Sequence, residues 1–140
     1  MDSMAFNMSE IRKRIDKEIS NYGVCLMNNT KWREVLQIIG DLHISVQFAF
    51  VRDEEFKMQI KIPKEGCKEK STTDCTIHGP ILYKDIYAIK CPQYEVKHDL
   101  STGRAYNDDY MFNSLISKLK EVGRLPIEAK EGCIIIKGYQ

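Results

Sequence analysis

The chain is predicted to be α+β, a mostly antiparallel sheet of about five or six short strands with helices packed on one face. Three observations point there. Two amphipathic helical patterns open the chain, the apolar period then changes from helical to two, and a third helix is followed by two short β runs around a turn. Helices with one apolar stripe and strands with one apolar face bury each other best as two layers.

The first pattern is SEIRKRIDKEISNYG, where Ile11, Ile15, Ile19 and Tyr22 recur on one helical face and Arg12, Lys13, Asp16, Lys17 and Glu18 stand opposite. Ser9 suits its N-cap and Gly23 its end. The second is TKWREVLQIIGDL, capped by Thr30 or Asn29, with Trp32, Val35, Leu36 and Ile39 as its stripe and Gly40 as its stop. The register of Trp32 places it in the core rather than on a ligand platform.

Strict alternation follows. Val46, Phe48 and Phe50 form one face of a strand, and Phe56, Met58, Ile60 and Ile62 one face of the next, joined through the acidic tip Arg52-Asp53-Glu54-Glu55. Residues 64–80 have no period and are expected to be a loop. YKDIYAIKCP and QYEVKH supply short strands, with Ile86, Ala88, Tyr94 and Val96 expected to face inward and Pro92 a break. HDLSTGRAYNDD is expected to be a loop, from which Asn107 or Asp108 caps a third helix carrying Met111, Leu115, Leu119 and Val122. Gly123 ends that helix, and Lys130-Glu131-Gly132 turns a closing hairpin.

Composition narrows the function classes. With 140 residues the chain fits one domain, and its formal charge of +1, from 21 basic and 20 acidic residues, creates no global field to attract nucleic acid or anionic lipid. No apolar run is long enough for a membrane helix, and the first twenty residues lack the order of a secretory signal. The 5 cysteines are irregularly spaced, which favours free thiols and a cytoplasmic location.

MNNTKWREV at 27–35, GPILYKDIYAIK at 79–90 and the closing helix with CIIIKGY at 133–139 resemble a small bacterial family of unknown function whose members open with an NNTKWREL-like motif. The resemblance covers residues 27–139 and departs from the pattern at 52–78. It implies that residues 1–26 are an extra N-terminal helix in front of a single α+β domain over 27–140. It carries no activity, so no residue inherits a role from it.

Candidate chemistry is sparse. Cys67, Cys75, His78 and Cys91 are the residue types of a zinc site, but only Cys75 and His78 have the pair spacing such sites use. Buried free thiols are the simpler reading, and neither a metal nor a cofactor is expected. His98 beside Asp99, with Arg104 and Tyr106 following, suggests the general base and phosphate anchor of a small hydrolase or nuclease. Neighbours in a strand point to opposite faces, however, which sets His98 and Asp99 apart. Lys57, Lys61, Lys64, Lys68 and Lys70 are interleaved with acidic residues, as a solvated face would be. No glycine-rich phosphate loop, nucleophile elbow or dinucleotide fingerprint is present.

The expected function is therefore non-enzymatic protein binding, with Asp53, Glu54 and Glu55 as partner-binding residues and an immunity or antitoxin role against a toxin partner as its specific form. The alternatives are a hydrolase or nuclease using the 98–106 loop and a zinc-stabilised module. Nucleic acid and membranes are not expected partners.

Overall fold

The computed structural model describes residues 8–51, 53–56, 58–62, 72–73, 81–93, 95–108 and 110–140. Three helices, α1 (Met8–Ser20), α2 (Asn29–Asp41) and α3 (Tyr110–Val122), accompany a five-stranded sheet. Its strands are β1 (Ser45–Phe50), β2 (Met58–Lys61), β5 (Ile86–Pro92), β8 (Ile127–Lys130) and β9 (Cys133–Lys137), in the order β2-β1-β5-β9-β8. Every neighbouring pair is antiparallel. Two small ribbons stand apart, β3 (Thr72–Thr73) with β4 (Ile81–Leu82) and β6 (Glu95–His98) with β7 (Ala105–Asp108). The α+β class is thus as the apolar patterning predicts. No helix among the described residues is long and apolar enough to cross a membrane.

α2 and α3 cover one face of the sheet. Trp32, Val35, Leu36 and Ile39 from α2 and Leu115 and Leu119 from α3 are buried against Val46, Phe48, Ile60, Ile89, Ile134 and Ile136. Each such side chain contributes roughly 1.5–3 kcal/mol on leaving water. The cap of α2 is Asn28, ahead of the expected Asn29 or Thr30: its side-chain oxygen accepts the Lys31 N–H at 2.8 Å. Gly40 does not stop the helix. It is buried within it, and His43 takes the left-handed turn at φ 56°. Ile44 N–H then bonds the Ile39 carbonyl and His43 N–H that of Gly40, which satisfies the last carbonyls in the Schellman pattern.

The inward positions of β5 differ from simple alternation. Ile86, Ile89 and Cys91 face the helices, whereas Ala88 is buried on the opposite face with Cys133 and Ile135. The cause is a bulge: the register with β1 shifts between Ala49 and Phe50, so Ala49 pairs with Ala88 but Phe50 with Ile86. One extra residue reverses the parity of all that precede it. Phe56 also departs from its expected face, because it lies ahead of β2 and packs beside Ala88 and Cys133. Tyr94 lies outside the described residues, as does the side chain of Val96.

Two further segments differ from the loops expected of them. Thr72–Thr73, inside the aperiodic 64–80 stretch, pairs with Ile81–Leu82; the rest of that stretch lies outside the described residues. Within the expected loop after His98, Ala105–Asp108 is a strand that pairs with the expected strand Glu95–His98, setting Asn107 and Asp108 opposite Val96 and Glu95. They therefore do not cap α3, which begins at Tyr110. The closing hairpin is as expected, Lys130 opposite Cys133 and Gly132 at φ 79°.

A 3-10 turn at Tyr83–Asp85 ties the ends of the chain to the sheet. Val51 N–H bonds the Asp85 carbonyl at 3.0 Å, and the Tyr139 hydroxyl donates to the Lys84 carbonyl at 2.6 Å. Residues 24–26 run antiparallel to 138–140: Val24 and Gln140 exchange backbone bonds, and Leu26 N–H reaches the Gly138 carbonyl at 2.9 Å. α1 is attached through Arg12, which grips both carboxylate oxygens of Asp85 at 2.7 and 2.8 Å while also bonding Asp16. Its Ile11, Ile15 and Ile19 are only half-buried.

Two predictions follow from these contacts. A Cβ on Gly138 would stand 2.5 Å from the Ile86 carbonyl oxygen and 3.2 Å from the Trp32 ring. Gly138→Ala is expected to cost about 2–3 kcal/mol by overpacking, measured as a lower urea midpoint at unchanged slope. Deleting residues 1–23 should leave cooperative unfolding and cost about 1–3 kcal/mol, as expected for half-buried side chains and two partly exposed ion pairs, Arg12–Asp85 and Asp16–Lys84. Deleting 1–26 should cost visibly more, because the backbone bonds to 138–140 go too; equal midpoints for the two deletions would refute that role for residues 24–26.

Candidate functional site

The acidic tip between β1 and β2 is held against the end of α1. Phe50 carbonyl accepts N–H groups from both Asp53 and Glu54, and Glu54 sits in the left-handed region at φ 58°. That conformation is strained for a residue with a side chain, and a tertiary contact accompanies it: the Tyr22 hydroxyl donates to the Glu54 carboxylate. The Tyr22 ring stacks on Tyr139 at 4.9 Å between centroids and lies 5.7 Å from Tyr87. Burial, and then the bond to Glu54, pushes the Tyr22 phenol well above the usual tyrosine range.

Between α1 and the tip lies a pocket of about 400 Å³ lined by Glu18, Asn21, Tyr22, Val51, Asp53 and Glu54. Among the described residues its lining holds three carboxylates and no basic side chain. The Glu18 Oε2 atom is buried, with no hydrogen-bond donor among the described residues. A buried acceptor left in that state costs free energy that an incoming donor would recover. Elsewhere on α1, Arg12 bridges Asp16 and Asp85, and Lys84 approaches Asp16 at 3.3 Å. Arg12 beside it holds the Asp16 carboxyl below the usual carboxylate range.

Of the three predicted partner-binding residues, Asp53 and Glu54 line this pocket, whereas Glu55 is exposed outside its lining. Sequence reasoning missed Glu18, Asn21 and Tyr22. Tyr22 was legible only as an apolar stripe residue and Glu18 only as part of a solvated face, because the contact spans residues distant in the chain.

The 98–106 segment assembles differently. His98 opposes Ala105, and Tyr106 opposes Lys97, so His98 and Tyr106 occupy opposite faces of an exposed two-stranded ribbon. Arg104 lies exposed in the connecting turn. Asp99 does not orient His98: its carboxylate accepts bonds from the Ser101 N–H at 2.8 Å, the Ser101 hydroxyl at 2.6 Å and the Thr102 N–H. Those bonds depress its pKa and make it a turn-forming residue.

Cys67, Cys75 and His78 lie outside the described residues, as do Lys57, Lys64, Lys68 and Lys70. Cys91 is fully buried on the helix-covered face of β5, where burial pushes its thiol up to about 12. A second concavity, a groove of about 550 Å³ between α2 and α3, carries mixed charge from Arg33, Glu34, Asp41, Lys118 and Glu121.

Thiol reactivity separates these environments. In the native protein at pH 8, a water-soluble disulfide reagent should label exposed Cys25 within minutes. Cys91 and Cys133, both buried, should react only on unfolding, as peptide mapping would show. Rapid labelling of native Cys91 would place that thiol at an accessible site instead.

No protein-family model, curated protein or solved structure matches the chain.

Proposed function

We propose that the protein works by binding another protein, and that the pocket formed by Glu18, Asp53 and Glu54 receives a basic side chain of that partner. The observation that carries this reading is the convergence of three carboxylate residues, Glu18, Asp53 and Glu54, on one pocket, beside a buried Glu18 oxygen with no hydrogen-bond donor among the described residues. A lysine or arginine entering there would gain charge-assisted hydrogen bonds in a partly desolvated setting, where they are stronger than on an open surface. The pocket is also anchored, since Tyr22 holds Glu54 in place before any partner arrives. Preorganisation of this kind lowers the entropy lost on association.

The specific form we propose is an immunity or antitoxin protein that neutralises a toxin in the cytoplasm. Its support is the small α+β layout and the charged loops. Its partner would present a basic patch, and the encounter would be steered by charge.

The test uses the full chain as bait in lysate of the source cell, alongside Glu18→Gln/Glu54→Gln. Proteins retained by the wild type at low salt should be lost from the variant and released at about 0.5 M salt. With the partner purified, the variant should associate about tenfold more slowly at low salt, with a weaker salt dependence. Identical capture by both chains would overturn the pocket as the binding site. Capture that salt does not disturb would overturn the charged mode of recognition.

A further inference from the structure

β8 is an edge of the main sheet, paired through β9 alone among the described strands. The hairpin sets which of its backbone groups face outward. Lys130 and Cys133 flank the two-residue turn, and Lys137 donates its N–H to the Pro126 carbonyl. Hydrogen-bonded pairs alternate along an antiparallel ladder, so residues 126, 128 and 130 turn their backbone groups toward β9. Ile127 and Ala129 turn theirs away. The Ile127 N–H is taken up by the Leu125 carbonyl at 2.9 Å. The outward set is therefore the Ala129 N–H and C=O together with the Ile127 carbonyl.

We propose that this edge is a homodimer interface, on which a second copy lays its own β8 antiparallel with the two-fold axis between the two Ala129 residues. Three features of the edge fit one another in that register. The two Ala129 residues exchange N–H to C=O bonds, the hydrogen-bonded pair of an antiparallel ladder. Glu128 of each copy then stands directly opposite Lys130 of the other, in the closely spaced positions where opposite charges attract across strands. Ile127, 38% exposed, and the exposed Ala129 share the helix-covered face with Ile136 and Ile134; the second copy would cover Ala129 with its own Ala129 and bring the start of its turn, at Glu131, opposite Ile127.

Other registers lose one of these features. An axis at Glu128 sets like charges opposite each other and requires backbone groups already committed to β9. An axis at Ile127 requires an N–H already bonded to Leu125 and leaves Lys130 beyond the pairing. Charged residues on a short edge commonly discourage pairing. Here the two signs are placed symmetrically about the outward residue, which repels a shifted copy and attracts one in register. The open-face charges are accessible: Glu128 is 42% and Lys130 55% exposed, with Lys137 at 2.9 Å and Lys130 at 3.8 Å from Glu128 in the same chain.

Only residues 128–130 pair strand to strand, which makes a small interface, so the dissociation constant should be on the order of 0.1 mM. Sedimentation equilibrium of the full chain under reducing conditions, from about 10 μM to 1 mM, should therefore show reversible dimerisation. Ala129→Pro removes the outward donor at an edge position where proline is tolerated, and should weaken association by about tenfold or more. Glu128→Lys and Lys130→Glu should each weaken it, and the double variant should restore it toward the wild-type value, because the exchange recreates both cross-copy pairs. Circular dichroism on each variant separates loss of pairing from loss of fold, and the charge exchange decides the matter if Ala129→Pro does not fold. A wild type monomeric up to 1 mM would overturn the proposal, as would a dimer indifferent to a folded Ala129→Pro, or a double variant no tighter than its parents.

Discussion

The structure depends on one constraint at its centre: β5 is buried on both faces, and its bulge lets it be so. Opposite Phe50 the strand carries one residue more than β1, so Ile86 and Ile89 face the helices although three positions separate them. Ala88 turns to the other side, into a small second cluster with Cys133 and Ile135. Without the extra residue, one of Ile86 and Ile89 would point away from the main core, at a cost of roughly 1.5–3 kcal/mol. The Ile86 and Tyr87 carbonyls of the same strand lie against the C-terminal segment, where Gly138 passes close enough that a Cβ would collide. Position 138 is thus set by β5, not by any local turn requirement.

The 3-10 turn ahead of β5 extends this control to both ends of the chain. Tyr83 is fully buried in the main core, which fixes the turn, and the turn then presents Asp85 to Arg12 and the Lys84 carbonyl to Tyr139. Tyr139 in turn is the platform on which Tyr22 stacks, and Tyr22 holds Glu54. A chain of contacts therefore runs from the sheet centre to the acidic pocket. The same ordering explains why α1, with no fully buried side chain among its described ones, sits in a defined place: two polar anchors and a ring stack position it, where the hydrophobic effect alone would let it slide.

Much of the architecture was legible from apolar spacing. The stripes of α2 and α3, the alternation of Val46 and Phe48, the core place of Trp32 and the hairpin at Glu131-Gly132 follow from periods of 3.6 and 2 and from turn chemistry. These patterns are local, and burial rewards them directly. The inward face of β5 was not legible, because a bulge leaves no mark in composition and reverses the pattern on one side of it. Glu95–His98 is legible as a strand, but its partner Ala105–Asp108 reads as part of a polar loop; the order of that half comes from backbone pairing and the Asp99 turn, which apolar periodicity does not report.

The candidate site divides in the same way. By itself the sequence determined that Asp53 and Glu54 stand on a charged tip between two strands, since a polar run between two alternating segments has nowhere to go but a surface turn. Only the tertiary structure decided that Glu18 and Tyr22, more than thirty positions away by chain, converge on that tip and enclose a pocket with it. Helical period tells which face of α1 is apolar, but not where the helix docks. That was settled by Asp85 and Tyr139, two residues whose positions exist only once the sheet has formed.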